Sequence, residues 1–160
     1  MLKWLSALLC VLLAYQPAFA DDRARLLGIW KLVSFDVERQ DTGERSAAYG
    51  KNPTGYLIFT PEGRMMAVLE GEGRKAPQTD EDRVALFRNM FAYTGIYRLE
   101  GDKWITKVDV SWNPAWNGTD QARFYKLEGD RLHVISAWAP SPNLPGRPMV
   151  RGITTWEKSK

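Results

Sequence analysis

Cysteine is almost absent from this chain. Cys10 is the only one, and it lies in an N-terminal segment unlike the rest. Histidine is equally scarce, with His133 alone. These two absences exclude a Cys/His zinc or copper centre, a disulfide framework and a thiolate nucleophile in the folded domain. They leave open a carboxylate cluster for a harder cation. A serine triad would have to use His133, and no nucleophile elbow accompanies it. Strand alternation sets His133 opposite Leu132 and Val134, hence on the outer surface. Charge of one sign is also lacking. The net charge is +3 and the basic residues are scattered, so nucleic acid is not the expected partner. Tyr49-Gly50-Lys51-Asn52-Pro53 has one glycine and no helix after it. It is therefore read as a structured lid or strand connection rather than a phosphate loop. No metal, cofactor or catalytic residue is assigned.

Long apolar runs are confined to residues 1–20. Lys3 gives a positive start, residues 5–14 an apolar run, and Ala18-Phe19-Ala20 a small-x-small site before Asp21-Asp22. This is the form of a secretory signal peptide cut after Ala20, and the run is short for a membrane span. Leu9, before Cys10, does not offer the small residue that a lipid-modification site wants. The expectation is an exported protein, periplasmic or secreted, with no stable membrane insertion after cleavage. Its mature domain would occupy residues 21–160, with a net charge of about +2 once Lys3 is gone. Lacking disulfides, that domain must rest on its core. Its length allows one domain that buries roughly two-thirds of its unfolded surface.

What the chain has in quantity is aromatic side chains, with 7 Trp and 6 Tyr. They serve packing and apolar ligand surfaces alike. Trp104, Thr106, Val108, Val110 and Trp112 alternate with Ile105, Lys107, Asp109 and Ser111, the period of a strand with one buried face. Two further strands follow over 120–127 and 131–138, joined by Glu128-Gly129-Asp130. Upstream, Leu26-Leu27-Gly28-Ile29-Trp30 opens a first strand, and strands follow over 55–60, 64–69 and 93–99; residues 149–157 form the last. One segment breaks the pattern. Thr79 is an N-cap before Asp80-Glu81-Asp82, and Val84, Phe87, Met90 and Phe91 recur at helical spacing, which predicts a helix over 80–92. The result is an all-β chain of about eight strands in sequential hairpins with one short inserted helix. Such a set closes into an up-and-down antiparallel barrel with room for one small ligand, an open sandwich being the alternative.

Candidate binding residues come from the strand faces. Gln121, Arg123 and Tyr125 share a face with Leu127. A buried polar file is costly without partners, so a ligand is the expected reason. Trp112, Asn113 and Trp116 stand where a barrel would have its mouth. Trp112, Trp116 and Tyr97 complete the expected ligand-binding set. Asp36 and Asp109 are conceivable acid/base carboxylates, though surface positions suit both better.

Gly28-Ile29-Trp30 resembles the Gly-x-Trp signature of lipocalins. That resemblance implies a barrel plugged at its closed end by Trp30 beside Gly28, with a basic residue over the ring; Arg151 is the expected counterpart and Arg147 a weaker one. A closer likeness covers nearly the whole mature chain. Gly28-Ile29-Trp30-Lys31-Leu32-Val33-Ser34, Tyr49-Gly50-Lys51-Asn52-Pro53-x-Gly55-Tyr56-Leu57-Ile58, Ala92-Tyr93-Thr94-Gly95, Ser111-Trp112-Asn113-Pro114-x-Trp116, Arg123-Phe124-Tyr125-x-Leu127-x-Gly129-Asp130-x-Leu132 and Trp156-Glu157 are similar to the bacterial lipocalin-like domain family. The resemblance implies a small barrel with an interior cavity, and no single chemistry. Arg123-x-Tyr125 is also similar to the pair that holds a carboxylate in fatty-acid-binding barrels.

Three functions follow as expectations. The first is an exported lipocalin-like protein that holds a small hydrophobic or amphiphilic, acidic molecule, its head on Arg123, Tyr125 and Gln121. The second is a cofactor-free isomerase or cyclase acting on a hydrophobic substrate in the same cavity. The third is a partner-binding envelope protein with a filled barrel. The sequence does not state an oligomeric state.

Overall fold

The computed structural model describes residues 18–141 and 146–159. The apolar run of the expected signal peptide lies outside the described residues, as does its residue Cys10. The elements in order are α1 (Ala18–Leu26), β1 (Gly28–Arg39), β2 (Arg45–Ala47), β3 (Thr54–Phe59), β4 (Arg64–Glu70), α2 (Asp80–Arg88), β5 (Met90–Glu100), β6 (Lys103–Ser111), a 3-10 turn (Pro114–Trp116), β7 (Asp120–Glu128), β8 (Arg131–Ser136), β9 (Ala139–Pro140) and β10 (Met149–Lys158).

Strands β1, β3, β4, β5, β6, β7, β8 and β10 pair antiparallel in that order, and β10 pairs back onto β1. This closes an eight-stranded up-and-down barrel, the all-β architecture expected, and leaves no long edge. β2 and β9 are short additions on β1 and β10. Alternation positions the core. Trp30, Leu32, Phe59, Met65, Trp104, Leu132 and Trp156 all point inward and are at most 5% exposed.

The inward file expected on β6 is interrupted. Thr94 faces Val110 while Gly95 faces Val108, so Asp109 is an extra residue in β6. This bulge turns the chain over, and Val110 lies outside with 61% of its surface exposed. The helix is also shorter than its apolar spacing suggested. Thr79 is the N-cap as expected and forms a reciprocal capping box with Asp82, but Asn89 ends the helix and Met90 and Phe91 belong to β5. The four spaced apolar residues therefore straddle two elements, and Val84 and Phe87 are exposed.

A second helix, α1, precedes the first strand and overlaps the expected strand start only at Leu26. It lies across the closed end of the barrel. Leu26 is fully buried in the core. Tyr125 Oη donates to Asp22 at 3.2 Å, and the Arg23 guanidinium stands 5.5 Å from the Tyr97 ring. Trp30 Nε1 donates to the Leu26 carbonyl at 2.8 Å. The helix stops before Gly28, whose φ of +107° favours a residue without a side chain. Two arginines in the last turn and a glycine just beyond were the available signals for that helix end.

Candidate binding chamber

At the end opposite α1 the barrel opens into a cavity of about 420 Å³. That is within the range of small-molecule sites. Its wall takes two successive inward positions from each of several strands: Phe35 and Val37 on β1, Phe91 and Tyr93 on β5, Gln121 and Arg123 on β7, Val134 and Ser136 on β8. Leu57, Trp104 and Trp156 make the floor. Beneath them Trp30, Phe59, Tyr97 and Leu132 fill the closed half.

Arg123 is held by its surroundings without a counter-charge. Its Nη1 donates to the Ala122 carbonyl at 2.8 Å and to Gln121 Oε1 at 3.4 Å. Gln121 Nε2 donates to Thr119 Oγ1 at 3.0 Å, and the Thr119 hydroxyl donates to the Trp116 carbonyl at 2.7 Å. This chain of hydrogen bonds fixes the guanidinium at the mouth. There it lies 5.6 Å from the Tyr93 ring and 5.7 Å from the Trp116 ring. Among the described residues none of its contacts is a carboxylate, and Nε and Nη2 meet no acceptor. A half-buried cation of this kind leaves a planar donor edge open to an acid.

Of the six expected binding residues the structure brings four to the chamber: Gln121, Arg123, Trp112 and Trp116. The other two stand apart from it. Tyr125 shares the Arg123 face, but one step further along β7 it is already below the floor, against Trp104 and Asp22. Burial and the Asp22 carboxylate push its phenol up to about 12. Tyr97 is buried in the closed half, and among the described residues its hydroxyl has no hydrogen-bond partner. Burial raises that phenol too. Of the three groups expected to hold a ligand's head, Gln121 and Arg123 line the chamber and Tyr125 does not.

Several residues that alternation did not single out complete the wall. Tyr49 reaches in from the connection after β2, its ring edge-on to Phe35 at 5.0 Å, and burial pushes its phenol up to about 12. Its loop is tied down by Glu72, which accepts from the Lys51 and Asn52 amides and from Asn52 Nδ2. Trp112 Nε1 donates to the Phe87 carbonyl at 3.3 Å, which attaches α2 to the rim. Gly152 on β10 also lines the chamber, and a Cβ there would stand 3.1 Å from the Phe35 ring.

The carboxylates considered for acid/base work lie elsewhere. Asp36 falls between Phe35 and Val37, both lining residues, and so faces out. Asp109 is exposed and pairs with Arg64 at 2.8 Å. Asp120 lines the rim, where Arg98 and Lys107 hold it at 3.3 and 3.7 Å. His133 is partly exposed beside Glu128. The basic residue over Trp30 is Lys158, not Arg151: Arg151 lies toward the mouth, 2.7 Å from Glu38 and stacked on Trp138 at 4.6 Å. Among the described residues no group of three or more His, Asp or Glu is placed to hold a metal ion, and no helix is long and apolar enough to cross a membrane.

A family model described as a lipocalin-like domain matches residues 27–159. No curated protein matches the chain.

Proposed function

The chain belongs to the lipocalin-like domain family, and from that premise we propose that it is an exported binding protein for one small, acidic hydrophobic or amphiphilic molecule. The observation that carries this reading is Arg123. Among the described residues it is the cation lining a chamber that carries eight aromatic side chains, it has no carboxylate partner, and it keeps two donor nitrogens free. Burying a guanidinium without a counter-charge is costly. A ligand carboxylate or phenolate removes that cost when it binds. The wall supplies apolar contact, and Gln121 holds the guanidinium in register.

A reaction begun by proton abstraction would require a base inside the chamber. Asp120 is the carboxylate on its lining, and it is half-exposed and paired to two cations. The geometry therefore favours binding over an isomerase or cyclase reaction of that kind. Calorimetric titration with matched pairs of acid and alcohol, one pair straight-chain and one aromatic, tests the proposal. The acid binds tighter in each pair that binds. Equal affinity of acid and alcohol in both pairs overturns the reading. Export rests on the sequence of residues 1–20, and its test follows below.

A further inference from the structure

We propose that the ligand is a compact, planar, ring-bearing anion, an aromatic carboxylate or phenolate, and not an extended acyl chain. This rests on the reading of Arg123 as the partner of the acid. Two independent features of the chamber carry it.

The first is depth. On β1, β5, β7 and β8 the wall spans two inward positions, which is roughly 7 Å of strand, while on β10 it runs from Val150 to Trp156, roughly 20 Å. Trp104 and Trp156 then close the floor, and the half below is filled by side chains at most 3% exposed, among them Trp30, Phe59 and Tyr97. The chamber is thus shallow along four of its strands. Along those four strands a long chain meets the floor after one step, whereas a flat ring system fits across it.

The second is the wall itself. Phe91 is the hub of a collar of rings. Its centroid lies 5.9 Å from Phe35, 6.5 Å from Tyr49, 6.1 Å from Tyr93, 6.0 Å from Trp112 and 6.4 Å from Trp116. Aromatic pairs gain more than their buried area alone when stacked or edge-on. The Arg123 guanidinium is set against the Tyr93 and Trp116 members of this collar. An acid on a ring would reach the free edge of Arg123 with its own plane among the collar rings. A flexible chain would gain the area and none of the ring geometry, and would lose rotamer freedom besides.

The test compares naphthoate with undecanoate, acids of equal carbon count, by calorimetric titration of the mature protein, together with the alcohol of each. Naphthoate is expected to bind about tenfold tighter than undecanoate. Phe91→Leu should close most of that gap and leave undecanoate within about threefold of its original affinity. If that variant does not fold, Trp116→Leu on the half-buried rim repeats the measurement. Undecanoate binding as well as naphthoate, each still ahead of its alcohol, overturns the ring inference and leaves the acid reading standing. A naphthoate preference that survives loss of the hub ring overturns the role given to the collar. Neither acid exceeding its alcohol overturns the acid reading and this inference with it.

Discussion

The ammonium of Lys158 stands 4.3 Å over the ring of Trp30, and the two residues are direct partners across β1 and β10. The same ammonium donates to the carbonyls of Arg25, at 2.9 Å, and Leu27. One side chain thus covers the buried indole and satisfies the last turn of α1, where a cation also meets the negative end of the helix dipole. Gly28 is favoured there by its φ of +107° and not by space, since a Cβ would meet Lys158 Cε at 3.5 Å, an ordinary contact. Burial lowers the pKa of Lys158. The Asp130 carboxylate opposes that shift.

This arrangement makes Trp30 and Lys158 a coupled pair at the closed end. Trp30→Ala should cost about 3–5 kcal/mol in urea unfolding, the range for truncating a buried large aromatic. Lys158→Met should cost about 1–2 kcal/mol through the lost cation–π contact and helix cap. In the double variant the two losses should fall short of adding, because the contact is shared. A loss under about 1 kcal/mol for Trp30→Ala would remove the plug assignment.

Alkali should loosen the barrel from both ends. Tyr49 lies at the mouth and Tyr125 at the closed end, each with a phenol pushed from 10.0 to about 12. A raised folded pKa means that the native state holds the proton more tightly. The stability this contributes is whole below pH 10 and is lost as pH climbs toward 12, since the unfolded chain ionises first. Lys158 works in the opposite sense, because its lowered pKa penalises the folded state until it deprotonates. The phenols should win, as two groups outweigh one. Unfolding free energy should therefore fall across that window, and Tyr49→Phe with Tyr125→Phe should flatten the slope. Spectrophotometric titration in which every folded-state phenol ionises together near pH 10 would contradict this.

Much of this architecture was legible. Alternation and the Gly-containing turns gave the eight barrel strands, and Thr79 with Asp82 gave the start of α2. What escaped was whatever depends on register or on height along a strand. Lys158 and Arg151 are both basic residues near the chain end, and only the β1–β10 pairing, shifted by the bulge at Val33, decides which meets Trp30. Alternation correctly put Arg123 and Tyr125 on one face, yet the level of the chamber floor depends on Trp104 and Trp156 from distant strands. The bulge at Asp109 left no mark in a stretch that alternates without a break. Helix α1 was hidden because its residues overlap a cleavage motif and lead into an apolar strand start.

The mature chain should begin at Asp21. Cleavage after Ala20 would leave Asp22, Arg23 and Leu26 in place, and these carry the described contacts of α1 with the barrel. Intact-mass measurement on exported material checks the start, and a lipid-modified Cys10 at the terminus would refute it. A chain shortened further to Leu27 should lose about 2–5 kcal/mol in urea, since it gives up the buried Leu26 side chain and uncovers the closed end.

Arg123 should decide which ligands the chamber accepts. Its Nη1 is occupied by Ala122 and Gln121, so the edge formed by Nε and Nη2 is what an incoming acid meets. That edge matches two acceptor oxygens in one plane, which an alcohol cannot offer. Arg123→Met keeps an apolar stem between Tyr93 and Trp116 and removes the charge. It should cost about 2–5 kcal/mol in binding an acid, the range for losing one partner of a desolvated charge pair, and leave the matching alcohol nearly unchanged. Arg123→Lys separates charge from shape. A lysine ammonium is a point charge without the planar fork, and it stacks less well on rings. It should therefore recover only part of the lost affinity, and the acid preference should rank arginine above lysine above methionine. Titrating one acid and its alcohol against all three proteins measures that order directly. If the lysine variant matches the unmutated protein, plain electrostatics suffices and the fork plays no part; if the methionine variant keeps the acid preference, Arg123 does not hold the ligand.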